Sequence, residues 1–324
     1  MKIDNKKVLV TGGAGMIGSH LVDALLIRDC TVTVLDNMSS GHTANLPKES
    51  AVHLYDLDIA CDDGLDQVFE HDFDVVFHLA ANFANRNSVD HPQRDLLTNG
   101  LGILKILDRC RKHDVKRFVY ASSSCVYGNL GSQMSEDTSV FDPGTPYAMT
   151  KLLGEQYTQF YTEHHGMWTS VLRYFNCYGP REHPGMYRNV IPNFAYTALN
   201  KEPLSITGTG EETRDFCFVS DIVDGTILSA EYEGAAGQVF NISGGAPTGI
   251  LDLAERINKL TENPAGVSIE GRRPWDHVVH RQPSTDKAHS LLQYSPAVSL
   301  DTGLEMTLDW MKLNWDHIHA TFTR

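Results

Sequence analysis

The chain has 324 residues, 41% of them hydrophobic, a formal net charge of −14 and six cysteines. That length gives one large domain or two intimate ones, and no apolar run approaches the roughly 18 residues of a membrane span. The acidic balance argues against nucleic acid or an anionic membrane, both of which select a basic surface. It still permits an anionic small molecule held by a few local arginines. The N-terminal MKIDNKKVLVTGG runs straight into a strand-like stretch without a cleavable leader, so a cytoplasmic location is expected.

In chain order, the first half alternates short β runs with helical stretches. The β runs are 6–12, 31–36, 74–81, 117–123 and 169–176; the helical stretches are 16–29, 62–70, 96–113 and 146–164. The β runs are continuously apolar, as strands buried on both faces should be. This alternation predicts an α/β fold with a doubly wound parallel Rossmann sheet. After about residue 180, Pro and Gly cluster and helices recur at 189–200, 221–232 and 251–261. A smaller, interleaved C-terminal α/β substrate domain is therefore expected over 181–324, beside a cofactor domain over 1–180. The strand-like stretch at 237–245 returns to the first domain. A substrate crevice between the two follows.

TGGAGMIGSH (11–20) lies between the first strand and the first helix. Gly13, Gly15 and Gly18 satisfy G-x-G-x-x-G, and Gly12, Gly15 and Gly18 also recur every third residue. Between a strand and a helix this pattern predicts a dinucleotide site, with a tight turn and helix N-terminal amides facing a pyrophosphate. Asp36 ends the second strand, where its carboxylate accepts ribose hydroxyls and repels a 2′-phosphate. Asn37, Met38 and Ser39 follow with no Arg or Lys, so NAD is favoured over NADP.

Tyr147 and Lys151 form Y-x-x-x-K on a predicted helix, where residues four apart share a face. A nearby ammonium favours the phenolate, which makes Tyr147 a candidate base. The cysteines at 30, 61, 110, 125, 177 and 217 form no CxxC pair, and all but Cys125 are expected in the core. The 15 histidines form no HExxH motif, His277 and His280 fit a solvated loop, and no metal is expected.

Taken in order, TGGAGMIGSH, VLDNMSSG, FHLAA, ASSSCVYG, the Tyr147/Lys151 pair, LRYFNCYGPR, RNVIPNF, GTGEETRDFCFVSD, FNISGG and RRPWD cover nearly the whole chain. This series resembles the extended short-chain dehydrogenase/reductase family, in its nucleotide-sugar epimerase and dehydratase branch, and is most similar to the UDP-glucose 4-epimerases. The resemblance implies NAD bound by Gly12, Gly15, Met16, Ile17, Gly18, Asp36, Asn37, Leu79, Ala80, Ala81, Asn99, Tyr147 and Lys151, with Asp56 and Leu57 flanking the adenine. It makes Ser123 the catalytic hydroxyl beside Tyr147 and Lys151. Hydride leaves the sugar C4 for NAD and returns to the other face of a 4-keto sugar. Asn176, Asn189, Arg214 and Arg273 are implied for the nucleotide sugar, which they share with Ser123. A homodimer through a four-helix bundle of the 96–113 and 146–164 helices is also implied.

The sequence departs from the pattern in three places. Phe83 stands where many 4-epimerases carry a Lys, and Arg281 stands at their sugar gate. An arginine there resembles the UDP-glucuronate decarboxylases, where it meets a substrate carboxylate. Ser124 and Cys125 stand where 4,6-dehydratases have Asp-Glu and the decarboxylases have a Glu, so both reactions lose their motif. Cys125 instead aligns with a proton-transferring cysteine of GDP-mannose 3,5-epimerases and GDP-fucose synthases. The expected activity is a nucleotide-sugar 4-epimerase acting on a UDP-hexose, UDP-N-acetylhexosamine or UDP-uronate. Epimerisation at C2, C3 or C5 with Cys125 as acid/base, a dehydratase or decarboxylase relative, and a catalytically silent cofactor-sensing regulator stay open.

Overall fold

Alternate residues of the buried strands feed two separate cores. Val8, Val10, Val32, Val34, Val75 and Phe77 pack on one face with Leu21, Val22 and Leu25 of the first helix. Their neighbours Leu9, Leu35, Val76, Phe118 and Tyr120 pack on the other with Ile103, Ile106 and Leu107. With both faces covered, the strands need to be apolar throughout. The computed structural model describes residues 1–47, 51–130, 133–138 and 141–322.

The strands are β1 (Lys7–Thr11), β2 (Thr31–Asp36), β3 (Val52–Asp56), β4 (Val75–His78), β5 (Arg117–Ser123) and β6 (Thr169–Tyr174). They lie parallel in the order 3-2-1-4-5-6, and the strand Gln238–Ile242 adds itself in parallel beyond β6. Thr11, at the end of β1, faces Leu35 on one side and His78 on the other. The chain reverses its winding direction there, and the crevice beyond these strand ends is where such sheets bind ligands.

Helix Met16–Ile27 follows β1 with Gly15 at its N-cap. Helix Pro146–His165 begins with a Thr145 cap and a proline in its first turn, and ends at Gly166 in a left-handed conformation. Two expected helices differ from the sequence pattern. The 62–70 stretch is helical only over Leu65–Val68, entered through Gly64 at φ 83. The 96–113 stretch is wound as π-helix over Leu96–Gly102 before continuing as Ile103–Lys112. The wider turns place Asn99 inward, where its side chain holds the loop at Asn82.

The remaining chain builds a helical layer with small ribbons: helices Val190–Leu199, Ile250–Leu260, Leu300–Leu313 and Trp315–Thr321, with Leu204–Thr207 paired to Val267–Glu270. Thr213–Asp215 pairs antiparallel with Pro247–Gly249. Among the described residues no helix is long and apolar enough to cross a membrane.

The cysteine expectation fails at one position. Cys30, Cys110, Cys177 and Cys217 are buried, but Cys61 is exposed in the turn that precedes Asp62, Asp63 and Gly64.

Candidate active site

The glycine turn is shaped by close backbone approach. Gly12 sits at φ 71, and a Cβ there would lie 2.7 Å from the amide nitrogen of Ala80. A Cβ on Gly18 would overlap the Gly12 carbonyl oxygen, so neither position accepts a larger residue. Gly15 caps helix Met16–Ile27 without any side-chain partner, which leaves the first-turn amides available to an anion. Asp36 ties this turn to β2: its carboxylate accepts from the amides of Ala14 at 3.0 Å and Met38 at 2.9 Å. Burial raises the Asp36 carboxyl above its ordinary range, against those amides.

A cavity of about 520 Å³ runs from this turn across the sheet ends into the second layer. Gly12, Gly15, Met16, Ile17, Gly18, Asp36, Asn37, Leu57, Leu79, Ala80 and Ala81 line one end; Ser123, Cys125, Tyr147 and Lys151 line the middle. Asn176, Asn189, Arg214, Arg273 and Arg281 line the other end. The amide-lined turn, the absence of room for a Cβ and the Asp36 carboxylate fit a dinucleotide.

Two expected cofactor residues stand elsewhere. Asp56 is exposed at the end of β3 and does not line the cavity. Asn99 is buried beneath it, accepting from the Asn82 amide at 2.7 Å and donating to the Asp95 carboxylate at 2.9 Å. Its side chain ties the Asn82 loop to Asp95, with both its oxygen and its nitrogen hydrogen-bonded within the protein.

In the middle of the cavity, Ser123 ends β5, and its hydroxyl oxygen accepts from the Cys125 amide at 3.2 Å. Tyr147 stands one turn before Lys151 on helix Pro146–His165. The electrostatics differ from the sequence expectation. Lys151 donates its Nζ proton to the Ala121 carbonyl at 2.8 Å and lies 5.8 Å from the Tyr147 ring centre. Burial, and then the neighbouring Cys125, push the Tyr147 phenol upward, with contact to Ser123 opposing. The protein alone therefore holds Tyr147 protonated, and the phenolate needs an added positive charge in the cavity. Burial lowers Lys151 itself to about 8, against Asp95 and Glu155.

Ser122 faces away, donating to Glu155, whose carboxylate pairs with Arg173 at 2.7 Å deep under the sheet end. Phe83 meets the Tyr147 ring edge-on at 6.0 Å, and walls the site where a polar contact was otherwise expected.

Arg281, far away in sequence, is buried against the Ser124–Cys125 pair. One Nη1 donates to Ser124 Oγ and Cys125 Sγ, each at 3.2 Å, while its Nε has no partner. Burial pushes the Cys125 thiol up, but the Arg281 charge, Ser123, and hydrogen bonds from Arg281 and Asn85 outweigh it and bring the thiol below its ordinary value.

At the far end, Arg214 spends three hydrogen bonds on the carbonyls of Thr213, Val279 and Val278, which aims its remaining donors. Arg273 is exposed beside Trp275. Asn176 sits at φ 22 and its side-chain amide donates to the Asp215 carbonyl at 2.9 Å, and Asn189 donates to Glu182 at 2.9 Å. Sequence reasoning missed Glu182, Arg188 and Arg272, all on the cavity wall. Glu182 Oε2 is buried without a partner, and burial raises the carboxyl to about 7, so its protonated form can donate to an anionic oxygen. Only the PRE segment after LRYFNCYG hinted at it.

The pattern that defines the NAD dependent epimerase/dehydratase family matches residues 8–243. The chain is similar to the epimerase of the thermophilic methanogen Methanothermobacter thermautotrophicus, at 45% identity and a TM-score of 0.94, over 99% of this chain and 96% of that one. It is similar to the UDP-N-acetylglucosamine 4-epimerase of Methanobrevibacter ruminantium, solved with UDP-N-acetylmuramic acid: 35% identity, TM-score 0.90, 96% and 99% covered. It is also similar to the UDP-N-acetyl-alpha-D-glucosaminuronate decarboxylase of Bacillus cytotoxicus, 32% identical over 324 residues, 95% of this chain and 98% of the relative.

Proposed function

The chain belongs to the NAD dependent epimerase/dehydratase family, and on that premise we propose that it is an NAD-dependent 4-epimerase of UDP-sugars. The candidates are a UDP-hexose, a UDP-N-acetylhexosamine or a UDP-uronate. Bound NAD supplies a hydride acceptor and donor. Ser123 and Tyr147 hold the sugar O4, and Tyr147 takes its proton as C4 is oxidised. The free 4-keto sugar then turns over and regains its proton from Tyr147 as C4 is reduced on the other face. Lys151 fixes the cofactor ribose beside Tyr147. Arg214, Arg273, Asn176 and Asn189 hold the sugar and its diphosphate, the guanidinium forks suiting phosphate oxygens.

One observation carries the choice of reaction. Ser123, Tyr147 and Lys151 line one cavity, and the two positions after Ser123 hold no carboxylate. Loss of water or carbon dioxide through those positions lacks the carboxylate that the 4,6-dehydratases and decarboxylases place there. The proximity of Cys125 to Arg281 favours a second reading, proton transfer by Cys125 beside the 4-ketone. Incubation with a panel of UDP-sugars, followed by proton NMR, tests the proposal. Appearance of the C4 epimer supports it; no turnover of any sugar nucleotide would favour a silent cofactor-sensing protein.

Residues 1–180, with 237–245, are read as the NAD-binding part and 181–324 as the nucleotide-sugar part. A homodimer is supported by Leu97, Leu101, Met149 and Phe160, all exposed on the 96–113 and 146–165 helices. A sedimentation mass of one chain would refute it. The six unpaired thiols fit a reducing, cytoplasmic setting.

A further inference from the structure

Three histidines that no sequence spacing connects meet at one place outside the substrate cavity. His42 follows the glycine at the end of the loop after β2, His183 lies in the connection leading to helix Val190–Leu199, and His317 lies on helix Trp315–Thr321. One ring nitrogen from each lies within 4.8 Å of the other two. His42 and His183 stack at 4.0 Å, and His317 meets His183 edge-on at 5.5 Å.

We propose that His42, His183 and His317 form a binding site for one divalent transition-metal ion of the zinc class. Neutral imidazoles are its preferred ligands, and three protein nitrogens leave the fourth tetrahedral position to water. Metal–nitrogen bonds of ~2.0–2.1 Å bring the three nitrogens to ~3.4 Å apart in a tetrahedron, so the nitrogens close on the ion and the stacked His42 and His183 rings rotate apart until their in-plane lone pairs converge. The exposed His317 gives the ion an entry path and the freedom to adjust. The Thr321 hydroxyl lies 3.4 Å from His183 Nδ1, an orienting partner of the kind that metal-ligating histidines have. Arg188 is the opposing charge: its guanidinium lies near both His42 and His183, and the Glu182 carboxyl counters it.

The site joins three segments that are otherwise distant. The His42 backbone amide donates to the Ala14 carbonyl inside the glycine turn, and His183 is the neighbour of Glu182 on the cavity wall. An ion held there clasps the cofactor turn and the substrate-side loop to the last helix. Because it binds the folded chain, it also raises thermal stability by mass action.

The test uses full-length protein without a polyhistidine tag, stripped with a chelator and titrated with zinc calorimetrically and with cobalt by visible absorption. The wild type is expected to bind one ion per chain, with the intense cobalt band of a tetrahedral site and a rise in Tm. His317→Ala and His42→Ala are each expected to weaken zinc binding at least tenfold, whereas His113→Ala, at an exposed histidine elsewhere, leaves it unchanged. Circular dichroism confirms that the variants are folded. No saturable binding by the wild type, or binding that both variants keep within twofold, overturns the proposal.

Discussion

Arg281 Nη1 lies 3.2 Å from Cys125 Sγ, although 156 residues separate them in sequence. Burial pushes this thiol up, and the contact helps bring it below its ordinary value instead. A lowered pKa means that the thiolate forms at lower pH than in an ordinary cysteine, so alkylation accelerates at lower pH. In a Cys61→Ser background, which removes the exposed thiol, the rate profile of Cys125 should rise below the usual cysteine range. Arg281→Leu should move that profile to higher pH and slow alkylation at pH 7, by about tenfold for each pH unit the profile moves. An identical profile in both proteins would show that the guanidinium is not what holds the thiol down.

On the proposed mechanism, Tyr147→Phe removes the hydroxyl that carries the sugar proton. Turnover should fall by about 10²–10⁴-fold while NAD still binds. Calorimetry with NAD separates this from collapse of the site, and retained turnover would remove Tyr147 from the mechanism.

The pH dependence follows from Lys151. Burial lowers it to about 8, so the ammonium is present below that pH and lost above it. Turnover that needs its charge should decline as pH rises through about 8. A kcat profile flat to pH 10 would show that bound cofactor restores the proton or that the charge is dispensable.

Glu155 and Arg173 are both almost fully buried and paired at 2.7 Å, and Arg173 also donates to the Tyr127 hydroxyl at 2.8 Å. Glu155→Ala leaves a buried guanidinium unpaired and should cost about 3–5 kcal/mol of stability. Chemical denaturation at fixed protein concentration measures this. A loss below about 1 kcal/mol would mean that water reaches Arg173.

The sheet, the glycine turn and the Tyr147/Lys151 pair were legible because each rests on local spacing: continuous apolar runs, a glycine every third residue, and two side chains four apart on a helix. What the sequence hid depends on where distant segments meet. Arg281 reaches Cys125 only because the chain returns from the second layer, and the three histidines meet only once the last helix docks. Asn99 matched a cofactor pattern, yet the π turns direct it into the Asn82 backbone. Cys61 sits next to Asp62, Asp63 and Gly64, a polar turn signal that outweighs the apolar character of a lone thiol. The Tyr147 phenol depended on burial, which spacing does not report.

Return of the same hydride to C4 is tested most directly with a UDP-sugar carrying deuterium at C4, converted in ordinary water. The product epimer should keep essentially all of that deuterium at C4, because it leaves as hydride and comes back without meeting solvent. Loss of the label from C4 would contradict the account, because it would mean that C4 inverts by proton exchange instead.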